Sequence, residues 1–404
     1  MTTLKDKIKI LLLENIHPFA IEKLKNEGFE VVSESASLPE EELLKVIHQF
    51  HVLGIRSKTN LSKNFIEKAS HLLSIGAFCI GTNQIDLVAA NKKGIPVFNA
   101  PYSNTRSVAE MVIAEMISLS RNLGDKNMQA HQGKWNKSAT GCYEVRGKTL
   151  GIVGYGHIGS QLSVLAEALG LNVIYYDVVK KLPLGNAKPV RTIQELFKQA
   201  DFVSLHVPET PQTKNMIGAE ELANMKKGSF LINASRGTVI EIDALVEALK
   251  SRHLGGAAVD VFPVEPQSNS ESFQSPLRGL SNVILTPHIG GSTEEAQEAI
   301  GREVADSFIK FIKNGSTRGA VNFPNVDLPA HNKTLRILNV HKNVPGVLKD
   351  INEIVASTGA NISAQYLATD SEIGYIVMDL ENAEAVETAE RISKLKTNIK
   401  TRTV

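Results

Sequence analysis

Apolar and polar positions follow two regimes along the chain. Over the first hundred residues, short apolar runs in KIKILLLE, FEVVSES, HVLGIRS, LLSIGAF and IPVFNA alternate with amphipathic stretches, HPFAIEKLKNEG, PEEELLKVIHQF, SKNFIEKASH and DLVAANKKG. Helix-length segments between apolar strands predict parallel βαβ units with helices on both faces of a sheet. Gly28 and Gly94 stand where helix C-caps belong. A long helix is expected over about Thr105 to Leu123, too apolar on its inner face to be a free linker. After the polar segment GKWNKSATGCYEVRGKTLG, a second alternating series starts at Lys148: KTLGIVG, LNVIYYD, DFVSLHV, GSFLINAS, GGAAVDVF and NVILTPH.

One more helix, STEEAQEAIGREVADSFIKFIKNG, leads into GSTRGAVNFPNVDLP, whose Gly and Pro content reads as a boundary. The tail then changes pattern. LRILNVH reads as a strand, PGVLKDINEIVASTG as a helix, ANISAQYLATD and IGYIVMDLE as an antiparallel pair, EAVETAERISKLK as a helix and NIKTRTV as a last strand. That order is βαββαβ, the ferredoxin-like arrangement. The fold class expected is α/β: two doubly wound, Rossmann- or flavodoxin-like parallel-sheet lobes and a small C-terminal ferredoxin-like module.

Composition narrows the class without choosing a function. The 404 residues are 42% hydrophobic and 22% charged, which excludes a disordered or collagen-like chain. A formal net charge of +1 gives no support for a nucleic-acid or membrane partner. Cys79 and Cys142 suit neither a disulfide framework nor a zinc ribbon, and no metal site is expected. The N-terminal apolar run is broken by Glu14, and no apolar stretch reaches the roughly 18 residues of a membrane span, so a cytoplasmic location is expected.

The sharpest local motif is GIVGYGHIGS, with Gly154, Gly156 and Gly159 in G-x-G-x-x-G order between a predicted strand and a predicted helix. The first glycine permits the turn, the second admits a pyrophosphate, the third allows close helix–strand contact, and the helix N-terminus offers free N–H groups. Asp177 ends the next strand, 18 residues after Gly159. A carboxylate there can bind both ribose hydroxyls and would repel a 2′-phosphate, which favours NAD over NADP.

Three further segments place polar residues at predicted strand ends, where α/β sheets present chemistry: Arg236 in FLINASRG, Glu265 in VDVFPVEP and His288 in ILTPHIGGS. The set fits oxidation of a 2-hydroxy acid. Histidine titrates near neutrality and can take or return the hydroxyl proton. A carboxylate beside it would orient the ring and stabilise imidazolium. Arginine holds a substrate carboxylate in bidentate fashion.

With these residues in place the chain resembles the D-isomer-specific 2-hydroxyacid dehydrogenases over roughly residues 5–325. The resemblance rests on GYGHIG, DFVSLHVPETPQTKNMI, INASRG, the AVDVF–E run and TPHIGG. It implies catalytic roles for Arg236, Glu265 and His288. It also implies cofactor contacts at His157, Ile158, Asp177, Ala234, Asp260, Gly290 and Gly291, alongside the motif glycines. It implies a discontinuous substrate domain (1–104 and 292–326), an NAD-binding domain (105–291) and a regulatory domain (333–404). The segment around Trp135 would lie near a dimer interface.

The substrate within this family is a separate question. Arg56, Ser57 and Lys58 end a predicted strand with two cations and a hydroxyl that could take a phosphate, and the resemblance adds Asn104 to that site. The tail resembles an ACT domain through VHKNVPGVL, with His341 and Asn343 flanking the Pro345–Gly346 turn, and through Asn361 in GANIS. Together these favour 3-phospho-D-glycerate as substrate, its oxidation being the first step of L-serine biosynthesis, and L-serine as a feedback effector held between ACT domains of a homotetramer. Reduction of 2-oxoglutarate is a plausible side activity. Two alternatives stay open: a glycerate- or lactate-type dehydrogenase, and a non-catalytic NADH-sensing protein of the same fold.

Overall fold

The computed structural model describes residues 8–266, 270–329, 335–381 and 385–404. The chain divides into two compact units, Met1–Ser103 with Gln297–Val404, and Asn104–Ala296.

In the first unit, strands β1 (Lys9–Leu12), β2 (Glu30–Ser33), β3 (Val52–Ile55), β4 (Ser74–Ala77) and β5 (Val97–Phe98) form a parallel sheet in the order β2-β1-β3-β4-β5. The central strands β3 and β4 are buried throughout, as expected for a parallel sheet covered on both faces. One face packs on helices Glu40–Val46, Lys63–Lys68 and Leu87–Lys92; the other packs on helix Pro18–Asn26 and on Ile300, Val304, Phe308 and Phe311. Gly28 and Gly94 follow their helices with positive φ, 92° and 67°, the C-cap conformation.

The second unit opens with helix Thr105–Arg121, which ends at Asn122 in the left-handed conformation (φ 50°). A helix absent from the sequence reading, Leu123–His131, follows at once and buries none of its side chains. Seven strands then form a parallel sheet: β6 (Thr149–Val153), β7 (Asn172–Tyr176), β8 (Lys188–Pro189), β9 (Phe202–Leu205), β10 (Phe230–Asn233), β11 (Gly256–Val259) and β12 (Val283–Leu285), in the order β12-β11-β10-β9-β6-β7-β8. The order reverses between β6 and β9, the switch point at which doubly wound sheets place their ligands. Strand β8 is a two-residue addition to the edge and was not foreseen.

The tail forms its own antiparallel sheet from β13 (Leu335–Lys342), β14 (Ile362–Thr369), β15 (Ile373–Leu380) and β16 (Asn398–Thr403), ordered β14-β15-β13-β16, with helices Val347–Thr358 and Ala385–Ser393. This is the expected βαββαβ arrangement. The segment read as a boundary is not a free linker. Phe323, Val326 and Leu328 are buried in one cluster with Leu338, Val340, Tyr375 and Val377 of the tail sheet, and Val321 N–H donates to Val97 O at 2.9 Å. Apolar residues hidden among its Gly and Pro residues make it an adhesive layer.

Candidate active site

The second sheet's carboxyl edge carries the chemistry. Beyond β6, Gly154 turns with φ 93°, and a Cβ there would collide with the carbonyl oxygen of His206. A Cβ on Gly159 would strike the Gly154 carbonyl oxygen. A Cβ on Gly156 would meet nothing within 4 Å. The turn is therefore tight at its first and third glycines and open at its second, where a pyrophosphate would approach. Gly156 caps helix His157–Ala168, so the backbone N–H groups at His157 and Ile158 lie at an anion-binding helix start. Asp177 braces this turn: its Oδ2 accepts from Tyr155 N and its Oδ1 from Val179 N, each at 2.8 Å. A cavity of about 260 Å³ opens there, lined among others by Gly156, His157, Ser160 and Lys181. Lys181 was not singled out from sequence, because nothing local shows that the segment after Asp177 folds back over the turn; Ser160 lies in the motif itself, one residue beyond its last glycine.

Beyond β10, Asn233 Oδ1 accepts from Ser235 N (3.1 Å) and Oγ (2.8 Å), and its Nδ2 donates to Arg236 O at 3.0 Å. This knot shapes the Ala234–Arg236 loop. A Cβ on Gly237 would overlap the Phe262 carbonyl carbon, so glycine is what lets the loop close on the β11 exit. Phe262 N donates to Glu265 Oε1 at 3.0 Å. His288 Nδ1 meets Glu265 Oε2 at 2.9 Å and Oε1 at 3.1 Å. With Nδ1 on Glu265, the His288 side chain is still 51% exposed.

Electrostatics follow the geometry. The Glu265 hydrogen bond raises His288 above its usual 6.5; burial opposes this, and the charges of Glu265 and Asp260 add to it. Burial alone would raise Glu265, but the hydrogen bond and charge of His288, the Phe262 N–H and the Arg236 charge together hold it below 4.5. The arrangement is an oriented imidazole with raised basicity and a guanidinium within electrostatic reach, suited to moving a proton at a carbon–oxygen bond next to a carboxylate.

Asp260 has a part that sequence reading did not assign. It is buried. Its Oδ1 accepts from Thr286 Oγ1 (2.6 Å) and Ile289 N (2.8 Å), its Oδ2 from Gly290 N (2.9 Å), and its carbonyl from His288 N (2.8 Å). These bonds hold His288 at φ 54°. Glu115, on helix Thr105–Arg121, is buried with neither carboxyl oxygen hydrogen-bonded; burial, then the Asp260 charge, push it up to about 8. His206 is buried and held down to about 4 by that burial, with Nε2 2.9 Å from Ser204 Oγ. Asn104 buries its Oδ1 without a partner, and its side chain lies against Gly291.

In the first unit, the Arg56–Lys58 turn leaves β3 with Arg56 half-buried and Ser57 and Lys58 exposed. In the tail, a cavity of about 370 Å³ is lined by His341, Asn343, Pro345, Gly346, Lys349 and Thr369, among others. His341 Nδ1 sits 3.1 Å from Asn339 Oδ1, and burial lowers its basicity. Asn361, expected to join these residues, does not line this cavity and donates to Glu381 Oε2 at 2.8 Å. The reason is length: Asn361 and Thr369 stand at opposite ends of β14, about 25 Å apart for an eight-residue strand. Among the described residues no group of three or more His, Cys, Asp or Glu is placed to hold a metal ion, and no helix is long and apolar enough to cross a membrane.

Comparison with known proteins agrees with this picture. Residues 113–290 match the family described as D-isomer specific 2-hydroxyacid dehydrogenase, NAD binding domain, and residues 337–400 match an AHAS small subunit-like ACT domain. The chain is 54% identical over 398 residues to a D-3-phosphoglycerate dehydrogenase of Dictyostelium discoideum, covering 98% of this chain and 97% of that one. It is 56% identical over 383 residues to the enzyme of that name from Escherichia coli K12, covering 95% and 93%. A solved NAD-dependent formate dehydrogenase from Staphylococcus aureus in complex with NAD superposes with a TM-score of 0.68 at 28% identity, covering 80% of this chain and all of that one.

Proposed function

The chain belongs to the D-isomer-specific 2-hydroxyacid dehydrogenases, and from that premise we propose that it oxidises 3-phospho-D-glycerate to 3-phosphohydroxypyruvate with NAD, the entry into L-serine synthesis. The observation that carries this reading is the 2.9 Å contact of His288 with Glu265, formed in the same sheet as a glycine turn open at Gly156.

NAD, when bound, supplies the hydride acceptor. The Gly154–Gly159 turn, His157 and Ile158 would hold its pyrophosphate and Asp177 its adenosine ribose, with Ala234, Asp260, Gly290 and Gly291 as the remaining cofactor contacts. Arg236 binds the substrate carboxylate, and the cations Arg56 and Lys58 with Ser57, joined by Asn104, take the phosphate. His288 Nε2 removes the C2 hydroxyl proton as hydride leaves C2. Glu265 keeps Nδ1 protonated and stabilises the imidazolium, which returns the proton in the reverse direction. The division into a substrate domain (1–104 and 292–326), an NAD domain (105–291) and a regulatory domain (333–404) belongs to the same reading.

The tail cavity takes L-serine as a feedback effector, with His341 and Asn343 on its polar groups, and a homotetramer pairs the ACT modules. Asn361, remote from that cavity within one chain, serves only across such a pairing. An NADH-linked assay over a panel of 2-hydroxy and 2-oxo acids, 2-oxoglutarate included, run with and without millimolar L-serine, tests the reaction and the effector. Phosphohydroxypyruvate should be the best substrate, serine should inhibit, and His288→Ala should lose turnover. Equal rates for wild type and His288→Ala would instead favour an NADH sensor.

A further inference from the structure

The loop after β1 holds a feature that the reaction does not use. Glu14 and Asn15 both adopt left-handed backbone, φ 67° and 51°, a conformation that non-glycine residues keep only when their surroundings enforce it. Three backbone bonds enforce it here: Leu13 N to Gly54 O (2.9 Å), Glu14 N to Ala36 O (3.1 Å) and Asn15 N to Glu34 O (3.2 Å). The result drives the Glu14 side chain, in a residue only 6% exposed, into the turn that leaves β3. Its Oε1 accepts from Arg56 N (3.1 Å) and Thr59 N (2.9 Å), and its Oε2 from Lys58 N (2.9 Å). From another side Gln84 Nε2 donates to Arg56 O at 2.6 Å.

Converging backbone N–H groups of a turn form a cup that ordinarily binds an external anion. Here an internal carboxyl group fills the cup. An incoming anion must then be held by the side chains of Arg56, Ser57 and Lys58, of which Ser57 and Lys58 are exposed and Arg56 is half-buried with its Nη1 3.5 Å from Glu14 O. We propose that Glu14 is a positioning residue for phosphate recognition: it sets the Arg56–Thr59 turn so that two side-chain cations, not the backbone, bind the substrate phosphate. This rests on the phosphate role given to Arg56 and Lys58 above.

The test is Glu14→Gln, which keeps the shape but sets an amide donor against backbone N–H groups. In the NADH-consuming direction the KM for 3-phosphohydroxypyruvate should rise about tenfold or more, with kcat and the NADH Kd within about twofold. On an Arg56→Gln/Lys58→Met background the same change should add less than about twofold, because the positioned cations are gone. Loss of kcat at unchanged KM, a fall in KM, or an equal KM rise on both backgrounds would overturn the proposal. If Arg56→Gln/Lys58→Met leaves KM unaltered while wild type turns over, the phosphate role itself is wrong and Glu14 falls with it; selectivity there with none in Glu14→Gln removes Glu14 alone. Should Glu14→Gln not fold, Glu14→Asp, which retains charge but shortens reach, is held to the same KM-against-kcat split.

Discussion

His288 is a base made by its neighbours. Its left-handed backbone is tied by Asp260, and its ring is tied by Glu265. Because the Glu265 bond holds its pKa above 6.5 against burial, neutral imidazole is scarcer near pH 7 than for a free histidine. Alcohol oxidation needs that neutral form, so the acid limb of the oxidation profile should lie above pH 6.5, while reduction should be favoured below it. Glu265→Gln removes the leading cause of the rise. The limb should move to lower pH and kcat should fall by roughly a hundredfold, read from pH profiles of kcat/KM. A limb that stays in place would take the role of base away from His288. Asp260 illustrates what sequence leaves out. TPHIGG and AVDVF mark both segments as part of a site, yet only the fold shows that one carboxylate holds three donors of the other segment.

At the scale of elements, the glycine turn was legible because its demands are local. Gly154 and Gly159 have backbone or neighbouring atoms where a Cβ would go, whereas Gly156 has open space. Gly156→Ala should thus change stability by no more than about 0.5 kcal/mol, while raising the Kd for NADH at least tenfold or so by occupying the pyrophosphate's approach. Gly154→Ala should instead lower Tm as well, since both φ and space oppose it. Thermal unfolding and NADH titration of the two variants separate these effects; equal behaviour would mean that the open space at Gly156 is not the cofactor's. Strands with continuous apolar runs and helices with one apolar face were equally readable. Helix Leu123–His131 was not, because it buries nothing and so leaves no periodic signal. Strand β8 is too short to carry one.

At the scale of the molecule, the attachment of the tail module to the rest of the first unit was invisible in NIKTRTV, which reads only as a last strand. The structure buries Arg402 and half-buries Lys400. Arg402 donates to the carbonyls of Phe311 and Ile312 at the end of helix Glu294–Asn314. Arg336 forms a buried ion pair with Asp379, with Nε 2.6 Å from Oδ1. Lys400 Nζ donates to Leu72 O at 2.6 Å. Burial, then the nearby charge of Arg402, hold Lys400 down to about 7 from 10.5. The sign of the linkage follows. Between about pH 7 and 10.5 the unfolded chain carries a proton that the folded one releases, so stability rises with pH across that window, by at most about 1.4 kcal/mol per pH unit. Below it, both states are protonated and the cost of burying the charge is borne in full. Calorimetric unfolding of the whole chain should therefore show Tm rising from pH 7 to 9, and Lys400→Met should flatten that rise while raising Tm most at the acid end. A pH dependence that survives in Lys400→Met would place the titrating group elsewhere.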